Sequence, residues 1–151
     1  MKLIVWQKAI ELFELVWAIV FTENKINFKL RSQLADAAQS VSANISEGYG
    51  RRSLNKYIQI LYYALGSLAE TMTRAIGLSQ TGQITEARFH ELDVLHYEVE
   101  NRLTRLIEKL EQKREDGDWI ARISEDPEEY RASTLLQHST TPSLQSPVSH
   151  A

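Results

Sequence analysis

EARFHELDVLHYEVENRLTRLIEKLEQKRED, residues 86–116, is the stretch that settles the architecture. Phe89, Leu92, His96, Val99, Leu103, Leu106 and Leu110 recur in alternating steps of three and four without a break. That is the period of an amphipathic helix. A seam so regular also suits side-by-side packing with crossing angles of about 20°. Thr85 stands where a hydroxyl can accept from the unpaired N–H groups of the first turn, so it predicts the N-cap.

Upstream, QTGQI (80–84) reads as a tight turn around Gly82. It ends a helix expected from Ser53, a good N-cap, to Ser79, with Ile58, Leu61, Leu65, Leu68, Met72 and Ile76 as its seam. Gly66 falls inside that helix, where glycine costs about 1 kcal/mol relative to alanine. Close backbone contact with the preceding helix is the expected compensation. That preceding helix runs from about Lys29 to Glu47, with Leu30, Leu34, Ala37, Val41 and Ile45 as core positions. Ala35, Ala38, Ser40, Ser42 and Ala43 crowd the remainder with small side chains, which predicts close approach by its neighbours. Gly48 is expected just beyond the C-cap. TENKINF (22–28) reads as a polar loop, and Leu3–Phe21 as a first helix whose wet face shrinks to Gln7, Lys8, Glu11 and Glu14. Four helices with short links give an all-α, up-down-up-down four-helix bundle.

All three prolines lie after residue 126 of the 151, and the division is electrostatic too. Residues 1–123 hold sixteen Lys and Arg against sixteen Asp and Glu. Residues 124–151 hold four acids against Arg131, which supplies the whole net charge of −3. The expected organisation is a bundle over 1–123 and an acidic, then Ser/Thr/Pro-rich, disordered tail over 124–151, with a short helical turn around Glu128–Leu136. With no cysteine, thiolate metal sites, disulfides and cysteine nucleophiles are excluded. The ten-residue run Leu12–Phe21 contains Glu14 and is too short to span a bilayer, and Met1-Lys2-Leu3 opens no secretory signal. A cytoplasmic protein without a membrane partner is expected.

Catalytic motifs are missing. No G-x-S-x-G elbow, P-loop or dinucleotide fingerprint is present, and the glycines of EGYGRRS join two helices. A dimetal carboxylate bundle needs two Glu-x-x-His motifs; Asp93-x-x-His96 is half of that requirement, so His96 reads as a hydrogen-bonded core residue. Neither metal nor cofactor is expected, and no enzymatic activity. Asn44, Glu47, Ser67 and Glu70 form an expected structural polar cluster whose members satisfy one another across two helices, since buried polar groups need partners.

The functional reading rests on charge. In Glu47-Gly48-Tyr49-Gly50-Arg51-Arg52-Ser53-Leu54-Asn55-Lys56-Tyr57, Arg51, Arg52 and Lys56 crowd a helix N-terminus that already carries about +0.5 charge. Such a site suits phosphate, while Tyr49 and Tyr57 could stack on bases or carry packing. On the last helix Arg102, Arg105, Lys109 and Lys113 share one flank of the seam, and Glu100, Glu108, Glu111 and Glu115 the other. Opposite margins suit a head-to-tail subunit contact that can close into a ring.

IVWQKAIELF, SVSANISEGYGRRS and ALGSLAE resemble the bacterial four-helix-bundle proteins of the 23S ribosomal RNA intervening-sequence group, over residues 3–116. That group includes the accessory variability determinant proteins of diversity-generating retroelements. The resemblance implies a barrel-like homopentamer without catalytic activity that binds nucleic acid, structured RNA or cDNA, and a reverse transcriptase. It places Arg51, Arg52 and Lys56 in the family's basic loop and Gly66 at a close-packed helix position. The expected function is therefore a retroelement accessory protein holding template and polymerase together. The alternative is a structural scaffold, or a ribosome-associated bundle, that binds no nucleic acid.

Overall fold

The computed structural model describes residues 3–23 and 26–117. Helix α1 (Ile4–Trp17) runs directly into a π-helical turn (Ala18–Glu23), followed by α2 (Phe28–Tyr49), α3 (Leu54–Gln80) and α4 (Glu86–Glu115). No strand occurs among the described residues. The expected loop at 22–28 is correspondingly shorter. Thr22 and Glu23 continue the first helix as a π turn, and Phe28 already belongs to α2.

Local chemistry sets these bounds. Asn27 Oδ1 accepts from the Lys29 N–H at 3.0 Å, Ser53 Oγ from Lys56 at 3.5 Å and Thr85 Oγ1 from Arg88 at 3.3 Å, so three helices start on side-chain caps. After α3 the chain turns through Gly82 at φ 71°. The Gly82 N–H donates to the Ser79 carbonyl at 3.0 Å and the Gln83 N–H to Leu78 at 2.8 Å. This Schellman arrangement satisfies the last carbonyls of the helix, and its left-handed residue suits glycine.

The helices pack round a ring, α1 on α2, α2 on α3, α3 on α4 and α4 on α1. Cross-helix bonds fix antiparallel neighbours. Arg74 Nη1 donates to Gln33 Oε1 at 2.9 Å and Asn44 Nδ2 to Ser67 Oγ at 3.4 Å, joining α2 to α3 in opposite directions. Tyr62 Oη on Glu111 Oε1 (3.0 Å) and His96 Nε2 against the Leu68 carbonyl (3.2 Å) do the same for α3 and α4. Four-helix, up-down-up-down packing follows. Leu12, Leu34, Leu61, Leu92 and Leu103 are fully buried at its centre.

The core of α3 departs from its expected seam. Ile76 is exposed and Leu65 and Met72 are only half-buried, whereas Ala64, Thr71, Ala75 and Leu78 are buried. The reason lies in α2, whose buried face carries Ala35, Ala37, Ala38 and Ser42. Two small-residue faces approach closely, so the stripe facing α2 is chosen for size rather than hydropathy. Leu30 is likewise 46% exposed rather than core, and in α4 Ile107 takes the buried position expected of Leu106. Phe89 is half-buried.

Two of the helical glycines, Gly48 and Gly66, differ from expectation. Gly48 does not follow a C-cap; α2 continues to Tyr49 and Gly50 is the capping residue. A Cβ at Gly48 would stand 2.8 Å from Cδ2 of Tyr57, so this glycine makes room for a buried ring. Gly66 faces open space, with nothing within 4 Å of a would-be Cβ, so the expected contact with α2 is not there.

The chain divides into two units, Met1–Asp116 and Gly117–Ala151. The tail expected over 124–151, and its turn around Glu128–Leu136, lie outside the described residues.

Candidate nucleic-acid interface

The α2–α3 elbow is built on Tyr57. Its ring fills the dent left by Gly48 and is 6% exposed, which removes it from any stacking role. Burial pushes its hydroxyl above the ordinary tyrosine range, with the neighbouring Tyr49 adding to the shift. Tyr49 is 58% exposed and is the tyrosine left for a ligand. Arg51, Arg52 and Lys56 are all exposed around it. Arg51 Nη2 is ion-paired with Glu47 Oε1, one turn back on the same chain. The cationic cluster is therefore partly neutralised by a residue that the sequence reading placed elsewhere.

The second basic group lies along α4. Arg102 Nη2 pairs with Glu98 at 2.8 Å, and Lys8 of α1 reaches the same carboxylate at 3.8 Å. Arg102, Arg105 and Lys109 then line an open groove against Leu3, Ile4 and Val5 at the start of α1. The acidic margin faces the other way. Glu111 accepts from Tyr62 of α3, a bond that raises the Tyr62 pKa, and Glu100, Glu108 and Glu115 are exposed.

The two groups stand on different sides of the bundle, Arg102, Arg105 and Lys109 toward α1 and Arg51, Arg52 and Lys56 at the α2–α3 elbow. Tyr62 bonded to Glu111 fixes the level of α3 against α4. Lys56 lies less than two turns before Tyr62, and Lys113 two residues beyond Glu111. The last turns of α4, with Lys113, thus lie toward the end of the bundle at which α3 begins, the end that carries Arg51, Arg52 and Lys56. Some fifty residues of sequence separate the two groups, and antiparallel packing of α3 and α4 brings only their axial levels closer.

The expected polar cluster does not assemble. Asn44 and Ser67 meet across α2 and α3, but Glu47 turns to Arg51 and Glu70 to Arg74, which also holds Gln33. Each carboxylate takes the cation four residues further along the chain, the nearest partner that needs no tertiary ordering. His96 is buried and bonded to the Leu68 carbonyl, as expected of a core histidine. Among the described residues no group of three His, Asp or Glu could hold a metal ion, and no helix is long and apolar enough to cross a membrane.

One feature escaped the sequence reading. At the α1–α2 elbow, Phe13 and Trp17 lie 6.0 Å apart and Trp17 stacks on Phe21 at 4.2 Å and 29°. Arg31 then places its guanidinium 5.0 Å from the Phe21 centroid and 5.3 Å from that of Phe28. The i, i+4 spacing of Phe13, Trp17 and Phe21 was a legible signal. The arrival of Phe28 and Arg31 from the next helix was not.

The sequence model of the 23S rRNA-intervening sequence protein family matches residues 1–105. A solved structure from Bacteroides thetaiotaomicron VPI-5482, described as a protein with unknown function from the S23 ribosomal protein family, is similar with a TM-score of 0.63 at 23% identity. The alignment covers 69% of this chain and 98% of that one, and the likeness is one of fold. No curated protein matches.

Proposed function

The chain belongs to the 23S rRNA-intervening sequence protein family, and from that premise we propose that it is a non-enzymatic bundle that binds nucleic acid, structured RNA first, through the basic end of an oligomeric ring. The observation that carries this reading is the exposed cluster of Arg51, Arg52 and Lys56 at the α2–α3 elbow, with a second row of exposed cations, Arg105, Lys109 and Lys113, along α4. Guanidinium and ammonium groups there suit phosphate oxygens as charge-assisted partners. In the finer form of the proposal the ring is a homopentamer. Within a retroelement it holds template RNA or cDNA beside a reverse transcriptase, and repetition of weak basic patches around the ring supplies avidity. Arg102 takes part less than its neighbours, because Glu98 already holds it.

The test is titration of a labelled hairpin RNA followed by fluorescence anisotropy at several salt concentrations. Affinity should fall steeply with salt, since phosphate contacts release counterions. Arg51→Glu together with Arg52→Glu should weaken binding at least tenfold. Unchanged affinity in that double variant removes the elbow from the interface.

A protein-only scaffold is favoured by one specific observation. Arg51 and Arg102 are each held by a carboxylate of their own chain. On that reading no RNA binds at any salt concentration, and light scattering still gives an oligomer.

A further inference from the structure

The aromatic ladder at the α1–α2 elbow lies at the opposite end of the bundle from Arg51 and Lys56. Helix α2, 22 residues and about 33 Å long, separates the two ends. None of the ladder's rings is fully buried. Phe28 is 68% exposed and Trp17 49% exposed, so both present flat apolar surface to solvent. Exposed aromatics alone would suit many partners. The charge narrows the choice.

Arg31 lies over two rings at distances that give a cation–π interaction with each. Its Nε is buried without a hydrogen-bond partner, and the guanidinium makes no ion pair with a described residue. In this it differs from Arg51, Arg74 and Arg102, each of which has a carboxylate one turn away. Lys29 stands beside it, and the first turn of α2 contains no acid. The elbow therefore combines a stacked π surface with positive charge that no described carboxylate takes up. A ligand complementary to both needs flat π faces and negative charge in alternation. A nucleobase on a phosphodiester backbone has both, and unpaired bases are needed, because a duplex hides their faces.

We infer that Trp17, Phe21, Phe28 and Arg31 form a stacking platform for the unpaired bases of a single-stranded nucleic acid. The inference rests on the reading of the chain as a nucleic-acid-binding protein and adds a second contact with a different ligand preference. Helical or hairpin segments go to the basic end by their phosphates. Unpaired segments go to the ladder by their bases, with Arg31 close enough to meet the adjoining phosphate.

The experiment uses the full chain with three fluorescein-labelled probes: a twelve-nucleotide oligo(U), the matching oligo(dT), and a hairpin RNA with a minimal loop. Anisotropy titrations compare the wild type with Phe28→Ala, Phe28→Trp, and the double variant Arg51→Glu with Arg52→Glu. Phe28 is the chosen position because its exposure keeps the fold out of the measurement. Phe28→Ala should weaken oligo(U) binding about tenfold and leave the hairpin unchanged, and Phe28→Trp should restore it. Equal effects on oligo(U) and oligo(dT) identify base stacking as the source; an effect on oligo(U) alone adds a ribose contact to it. If Phe28→Ala binds both oligomers as the wild type does, the platform is wrong while hairpin binding still stands. The inference also fails if that variant changes only the mass seen by light scattering, which assigns the ladder to a subunit contact. Loss of hairpin binding in the Arg51/Arg52 double variant, with oligo(U) binding intact, separates the two contacts. Absence of binding to all three probes overturns both readings.

Discussion

The two elbows that flank α2 use the same residue types and sort them in opposite ways. At the α2–α3 elbow the aromatic goes inside. Gly48 leaves a dent, Tyr57 fills it, and the nearby Arg51 is pushed to the surface, where Glu47 holds it. At the α1–α2 elbow the aromatics stay outside. Trp17 stacks on the half-buried Phe21, Phe28 is exposed, and Arg31 lies over Phe21 and Phe28 rather than on a carboxylate. Whether an aromatic side chain becomes core or surface is decided by the space its neighbour gives up, and a single glycine supplies that space on one side only.

The comparison breaks most decisively at Tyr57. Replacing this buried ring with alanine should cost about 3–5 kcal/mol, read as a drop in the urea midpoint at unchanged slope. A loss below about 1 kcal/mol means that the elbow is not anchored there. The same residue gives a pH signature. Its folded pKa is raised, so its contribution is fully present below about pH 10, the unfolded value, and is lost as pH rises through the folded one. Tyr57→Phe should therefore flatten the alkaline limb of the stability profile.

Filling the dent from the other side is the next largest effect. Gly48→Val places methyl groups where a Cβ alone already meets the Tyr57 ring at 2.8 Å. Overpacking of this kind costs about 1–3 kcal/mol, more than the helix propensity gained by losing a glycine. A variant as stable as the wild type in thermal melts shows that Tyr57 can move aside. At the other elbow the corresponding change is small. Phe28→Ala should lower stability by about 0.5–1 kcal/mol, the scale of a single exposed cation–π contact. Smallest of all is Arg51→Ala. The pair with Glu47 joins two side chains about half-exposed, at 46% and 50%, and such pairs contribute well under 1 kcal/mol. Should denaturation rank Arg51→Ala above Phe28→Ala, the contrast between the elbows is misdrawn.

Much of the fold was legible because helix ends and seams are local. Ser53 and Thr85 cap the helices that the sequence assigned to them, and the α4 seam holds at Leu92, His96, Val99, Leu103 and Leu110. Which face of α3 turns inward was not legible. A search for large apolar residues selects Leu65, Met72 and Ile76, whereas close approach of α2 selects Ala64, Thr71 and Ala75. Hydropathy does not encode the distance between two helices. The candidate site divides the same way. Arg51, Arg52 and Lys56 stand out in one contiguous string, whereas Glu47, expected in a polar cluster with Asn44, Ser67 and Glu70, pairs with Arg51 instead. Arg31 gives no such signal, because the two rings beneath it come from different helices.

By itself the sequence determined that the described chain is a set of four amphipathic helices and where most of them begin. Those properties depend on residues within a turn or two of one another, and a 3.6-residue repeat carries them without reference to the rest of the molecule. Only the tertiary structure decided that Arg102, Arg105 and Lys109 face the start of α1, that Gly48 exists for Tyr57 while Gly66 faces open space, and that Arg31 rests on Phe21 and Phe28. Each of these depends on how one helix packs against another, and packing distance has no period in sequence.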